Sequence, residues 1–270
     1  MPNETKTNYG YVKDEILDED YVLGGLQLPT EILQPMGQWD EFIPADEIQR
    51  TEKYETYGCT IYGTQNALEF LFKRVFGEIR NFSERYVYIF TKTRKPGNSP
   101  KTIIEAIRKQ CGMIDEDIMP MKDAKTYEDY INPDPLPVLL EWKGEDFLKD
   151  YKINYEWVFN DNQIHNRNEA IKTALQYSPL GIAVAAWTYD FDKKVYIRPK
   201  GAEDNHWCVI FGYADGLYFQ VFDSYDKSIK HLDWGFGFER SLRYRIEKIE
   251  HIDWWQKIKN YLFNKYKISL

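Results

Sequence analysis

Hydrophobic periodicity changes once along this chain, near residue 178 of 270, and that single change sets the fold class. Before it, apolar residues recur at helical intervals. In Thr60 to Val75 (TIYGTQNALEFLFKRV) the stripe is Ile61, Leu68, Leu71, Phe72 and Val75, and it stops at Gly77. A second helix is predicted from Ser83, where Ser-Glu opens SERYVYIF. A third spans Pro100 to Lys109 on Ile103, Ile104 and Ile107, and another runs from Asn168 to Tyr177. After it, GIAVAAW, KVYIR, HWCVIFGY, LYFQVF and RYRI are short, β-branched or aromatic, and bounded by turn residues, which is the pattern of strands. Helices first and strands later exclude an alternating βαβ sheet and predict an α+β molecule of two packed lobes. Residues 1–45, broken by Gly24-Gly25, Pro29, Pro35 and Pro44, read as an extended arm. Residues 248–270 read as a C-terminal amphipathic helix with Asp253 as N-cap, a candidate surface, with the arm, for a protein partner.

Several functions are excluded by composition. With 43 Asp and Glu against 35 Lys and Arg, the net charge of −8 has the wrong sign for a nucleic-acid binder. The longest apolar run, Gly181 to Trp187, is too short for a bilayer, and the polar, acidic N-terminus is no secretory signal, so no membrane partner and a cytoplasmic location are expected. Three cysteines and four histidines show no zinc spacing; no metal or cofactor is expected, and the thiols should be reduced. Cys111 and Cys208 read as core residues, His165, His231 and His251 as surface ones, and Glu69 as structural.

Three residues carry the chemistry. Cys59 stands at a helix start, where the macrodipole and free N–H groups favour thiolate. His206 opens one strand of a hairpin and Asp223 closes the other. A two- or four-residue loop puts both on one face of the hairpin, whereas a three-residue loop does so only with a bulge. A carboxylate beside His206 would fix its tautomer, and imidazolium would stabilise the Cys59 thiolate and depress its pKa.

These pieces resemble the papain-like cysteine peptidases over Gln49 to Ile246. The Cys59 to His206 separation lies within the roughly 130–150 residues of that family. Glu69 stands ten residues after the nucleophile, as in the family's helix (CTIYGTQNALE), and Phe82-Ser83-Glu84-Arg85 looks like its Leu-Ser-Glu-Gln. PGNSPKTIIEAIRKQCGMIDEDIMP resembles the glycine-rich cleft stretch and its helix, Ser178 to Val184 the Gly-Pro-Val strand, Asn205-His206 the Asn-His strand, Asp223-Ser224-Tyr225 the Asn-Ser-Trp site, and WGFGF the later Trp-Gly stretch. The resemblance implies a two-lobed fold, helical over about 50–177 and β-rich over about 178–247 within a 46–247 domain, with the site between the lobes. Cys59 would be the nucleophile, His206 the base and Asp223 its orienter; Gly97, Asn98, Asn205 and Tyr225 would border the substrate, Tyr225 shielding the His206–Asp223 contact. Thr60 replaces the usual Trp, and Lys53 stands where the oxyanion-hole Gln belongs, so Gln49 would serve only across a longer loop. The family's long helical prosegment has no counterpart in residues 1–45.

The expected function is cysteine-dependent hydrolysis of a polypeptide substrate through an acyl-enzyme, in a version suited to a phage or to a bacterial interior, and packaged in a virion if viral. Two alternatives are a peptidoglycan or isopeptide amidase or transpeptidase, and a vestigial binding or assembly module such as a virion component.

Overall fold

A computed structural model describes residues 8–17, 20, 31–45, 48–133, 140–159, 166–226 and 228–250. The C-terminal helix expected from Asp253, with His165 and His251, lies outside the described residues. Helix α1 (Cys59–Phe76) is buried at every position from Cys59 to Phe72, because it runs through the middle of the molecule rather than over its surface. Gly77 ends it in the left-handed conformation, φ 68°, its N–H returning to the Phe72 carbonyl. Helix α2 (Glu84–Phe90) starts on the Ser83 side chain, which accepts from Tyr86 N, and α3 (Pro100–Ala106) on Ser99, with Pro100 in its first turn. The expected continuation of α3 to Lys109 is a π-helical turn, Ile107–Cys111. Two further helices, α4 (Tyr127–Ile131) and α5 (Glu141–Asp150), complete the helical lobe.

One strand of the sheet comes from the segment expected to be helical. β1 (Tyr151–Trp157) follows α5 directly and pairs along its whole length with β8 (Ser241–Lys248), burying Tyr151, Ile153 and Trp157. After α6 (Arg167–Leu175) come β2 (Leu180–Val184), β3 (Thr188–Asp190), β4 (Val195–Ile197), β5 (His206–Ala214), β6 (Tyr218–Asp223) and β7 (Ser228–Asp233). The sheet order is β1-β8-β2-β5-β6-β7-β4-β3, antiparallel throughout except for β4 against β7. This is the α+β arrangement.

The β5–β6 register decides the site. Its loop has three residues, 215–217, between Ala214 and Tyr218. Continued unbroken, that register would put His206 and Asp223 on opposite faces. One extra residue in β5, Phe211, lies between the Ile210–Val221 and Gly212–Gln220 pairs and resets the ladder so that Val209 opposes Phe222. His206 and Asp223 then share a face. Helix α1 reaches β5 because Gly63 has no side chain: a Cβ there would lie 2.8 Å from the Trp207 ring.

The arm also has a fixed place. Trp39 is wholly buried, donates its backbone N–H to the Phe211 carbonyl at 2.9 Å and its indole N–H to the Leu175 carbonyl at 2.8 Å. Gln38 donates to the Tyr213 carbonyl at 2.9 Å. The arm thus covers the part of β5 that extends beyond β2.

Candidate active site

Cys59 is the first residue of α1, and its thiol takes hydrogen bonds from the backbone N–H groups of Trp207 and Thr60, which places it beside the start of β5. His206 Nε2 and Asp223 Oδ1 are 2.6 Å apart, both residues fully buried. The opposite ring nitrogen, Nδ1, is buried with no hydrogen-bond partner among the described residues. Asp223 Oδ1 also accepts the Tyr225 N–H at 3.1 Å, and Oδ2 accepts from Lys230 Nζ at 2.7 Å. Burial alone would raise the Asp223 carboxyl; His206 and Lys230 outweigh it and hold the group well below the usual carboxylate range.

Both Tyr225 and Trp187 stand edge-on to the imidazole, at 6.3 and 5.6 Å between ring centroids. The cover over the His206–Asp223 contact is therefore shared, Trp187 having escaped the sequence reading. Arg50 stacks on Tyr225 at 4.5 Å and donates to its carbonyl.

Gln49 does reach the site, because the turn at residues 51–54, closed by the Arg50–Glu55 bridge, loops out and returns the chain beside it. The exposed Lys53 sits in that turn. Gln49 is fully buried; its Nε2 donates to the Tyr9 carbonyl at 2.9 Å and to Glu55 at 3.0 Å, and its Oε1 accepts from Ser224. Glu55, also absent from the sequence reading, receives the Tyr57 N–H as well.

Residues 9–12 of the arm cross the site. Tyr9 N donates to the Asn205 carbonyl at 2.9 Å, and its ring packs on Tyr225 at 4.5 Å and on His206 at 5.4 Å. Asn98 N donates to the Gly10 carbonyl, and Val12 N to the Asn98 carbonyl, both at 3.0 Å, a parallel β-bridge centred on Tyr11. Gly97, at φ 125°, leaves room for this: a Cβ there would lie 1.9 Å from the Gly10 carbonyl oxygen. Asn205 uses its side chain on the loop after β2, Oδ1 accepting the Ala186 N–H at 2.9 Å. All eight residues singled out from the sequence thus line one region, and the arm fills it.

One expectation is reversed. The depressed Cys59 pKa does not appear: burial, foremost, pushes the thiol well above its ordinary value, the Glu55 and Asp223 carboxylates add to the rise, and the two N–H bonds oppose it. Cys111, raised to about 12, and Cys208 are likewise buried, unreactive thiols, and Glu69 is structural, accepting the Phe82 N–H at 2.8 Å. His231 stacks on Tyr218.

By sequence, neither a family model nor a curated protein matches the chain. By structure, it is similar to digestive procathepsin L 3 of Tenebrio molitor larval midgut, with 13% identity, 88% of this chain and 76% of that chain covered and a TM-score of 0.57. It is similar to the bromelain protease from Ananas comosus in complex with the E64 inhibitor, with 18% identity, coverage of 78% and 98% and a TM-score of 0.56. Against the clostridial cysteine protease Cwp84 after propeptide cleavage the values are 14%, 78% and 57%, and 0.57, so this chain spans little more than half of that one. The chain has the two-lobed α+β fold of the papain-like cysteine peptidases.

Proposed function

We propose that the chain is a cysteine peptidase whose cleft is closed by its own N-terminal arm. The observation that carries this reading is the buried 2.6 Å contact between His206 and Asp223, next to a thiol at the N-terminus of the central helix. Asp223 keeps the proton of His206 on Nε2, leaving the Nδ1 lone pair to take the Cys59 proton. The thiolate attacks the substrate carbonyl carbon, and Gln49 Nε2 with the Cys59 N–H holds the oxyanion. Nδ1–H then protonates the leaving amine as the C–N bond breaks, giving a thioester and a free amine. Water gives a proton to Nδ1, attacks the thioester and releases the acid and the thiol.

A peptide, rather than a glycan-linked amide, is favoured because the cleft already pairs with extended backbone through Asn98 and Asn205. The Gln49 amide, now on the Tyr9 carbonyl, is the group that an incoming carbonyl would meet. Substrate therefore competes with the arm. The test is cleavage of an unfolded protein by a variant lacking residues 1–16, with and without Cys59→Ala. Cleavage that disappears with Cys59 supports the reading; no cleavage by the truncated protein, or cleavage that survives Cys59→Ala, refutes it.

A further inference from the structure

One buried cation that the proposed chemistry does not use stands directly on Asp223. Lys230 is 1% exposed and sits on β7, where it pairs with Val221 of β6 and so shares the face that Asp223 occupies two residues on. Its Nζ donates to Asp223 Oδ2 at 2.7 Å and to Asp226, and it lies over the Trp187 ring at 5.1 Å and the Tyr196 ring at 5.7 Å. A lysine stem has ample length to reach solvent, yet this one is turned inward onto the far oxygen of the carboxylate that contacts the histidine.

We propose that Lys230 is a positioning residue that fixes the His206 tautomer through Asp223. The inference rests on the reading of Cys59, His206 and Asp223 given above. A carboxyl group in an apolar site prefers to be protonated, and a protonated Asp223 would donate its hydrogen to His206 Nε2. The ring proton would then sit on Nδ1, the nitrogen that must accept from the thiol, and the base would be lost. With the ammonium on Oδ2, the carboxylate stays an acceptor, Oδ1 takes the Nε2 proton and Nδ1 keeps its lone pair. A neutral Asn at this position would present its carbonyl oxygen with no charge to balance; an Asp needs the cation. The hydrogen bond of Lys230 is to the carboxylate that contacts His206, so its charge acts on the ring through Asp223, while Trp187, which lies between Lys230 and the imidazole, supplies only an uncharged packing contact.

The tautomer is read directly by nitrogen NMR of the His206 ring at neutral pH in the full-length protein. Wild type is expected to show the Nε2–H form. Lys230→Met, of similar shape, and Lys230→Gln, which keeps a donor but no charge, are expected to lose it, and in the variant lacking residues 1–16, the parent for kinetics, either change should lower kcat/KM at least thirty-fold, in kcat rather than KM. The double variant Asp223→Asn with Lys230→Met is expected to regain the Nε2–H form and to exceed Lys230→Met alone in kcat. An Nε2–H signal and a kcat within threefold of the parent in both single variants overturns the proposal, as does a double variant no better than Lys230→Met. If the parent cleaves no peptide while the tautomer responds as described, the positioning role stands and the peptidase reading falls.

Discussion

At Gly10 the arm lies directly against the loop that precedes Cys59. A Cβ added there would lie 2.1 Å from the Tyr57 carbonyl oxygen and 2.3 Å from its carbon, both backbone atoms, and φ at Gly10 is +117°. Neither side can yield cheaply, so Gly10→Ala should lift residues 9–12 off the cleft. Four hydrogen bonds would be lost: Tyr9 N to Asn205, Asn98 N to Gly10, Val12 N to Asn98, and Gln49 Nε2 to Tyr9. At about 0.5–1.5 kcal/mol each, they hold the closed form by about 2–6 kcal/mol, a closed-to-open ratio of roughly thirty to twenty thousand. If the thiol reacts only when the arm is off, the rate of Cys59 alkylation by iodoacetamide should rise by a factor in that range. The assay is the second-order alkylation rate at pH 7.5, with the modified cysteine identified by peptide mass. Gly201→Ala is the control, since Gly201 shares the positive φ, 75°, but has nothing within 4 Å. An alkylation rate for Gly10→Ala within twofold of wild type, in a protein of unchanged melting temperature, would refute the argument that the arm is the seal.

Other consequences are open to measurement. In Gly10→Ala, substitution of Cys59 by Ala should abolish labelling, because Cys111 and Cys208 stay buried; equal labelling of those two would place the reactive thiol elsewhere. Gly63→Ala puts a Cβ 2.8 Å from the Trp207 ring and should destabilise by about 1–3 kcal/mol, partly offset by about 1 kcal/mol of helix propensity, whereas a raised urea midpoint would mean that α1 does not approach β5 so closely. Asp204 lies 2.6 Å from Arg198 and is almost fully buried; burial, foremost, raises its carboxyl to about 6 against Arg198, above the roughly 3.9 of an unfolded chain. The folded state thus holds a proton that the unfolded state releases, so this residue's contribution falls as pH rises through that window. Urea unfolding at pH 4.5 and 7 should show wild type losing about 1–3 kcal/mol relative to Asp204→Asn on going to the higher pH, and a flat or opposite difference would discard the assignment.

What could be read from the sequence was what depends on neighbours in the chain. The starts of α2 and α3 follow from Ser83 and Ser99, whose side chains take the N–H groups three residues on, and the end of α1 follows from Gly77. The shared face of His206 and Asp223 could be narrowed to a matter of loop length, but the bulge at Phe211 that settles it has no signature in a run of apolar residues. Lys230 was invisible for a different reason. In SIKHLD the exposed Ile229 and the buried Lys230 invert the usual sense of alternation, and only a carboxylate on the neighbouring strand makes the inward lysine intelligible. Strand β1 follows α5 without a break, so no turn residue announced the change. The crossing of the cleft by residues 9–12 joins positions about 90 and 195 residues apart, beyond the reach of any periodicity.

Trp39 gives that crossing its quantitative character. Because Trp39 is fixed on Phe211 and Leu175, residues 8–17 remain tied to the molecule when their contacts in the cleft open. The segment behaves as a ligand at a constant local concentration, which tethering typically sets on the order of millimolar, whatever the concentration of the protein. Dilution therefore cannot relieve the closure, and a free peptide copied from residues 8–17 would have to approach millimolar levels to close a truncated chain as well as the tethered arm closes its own.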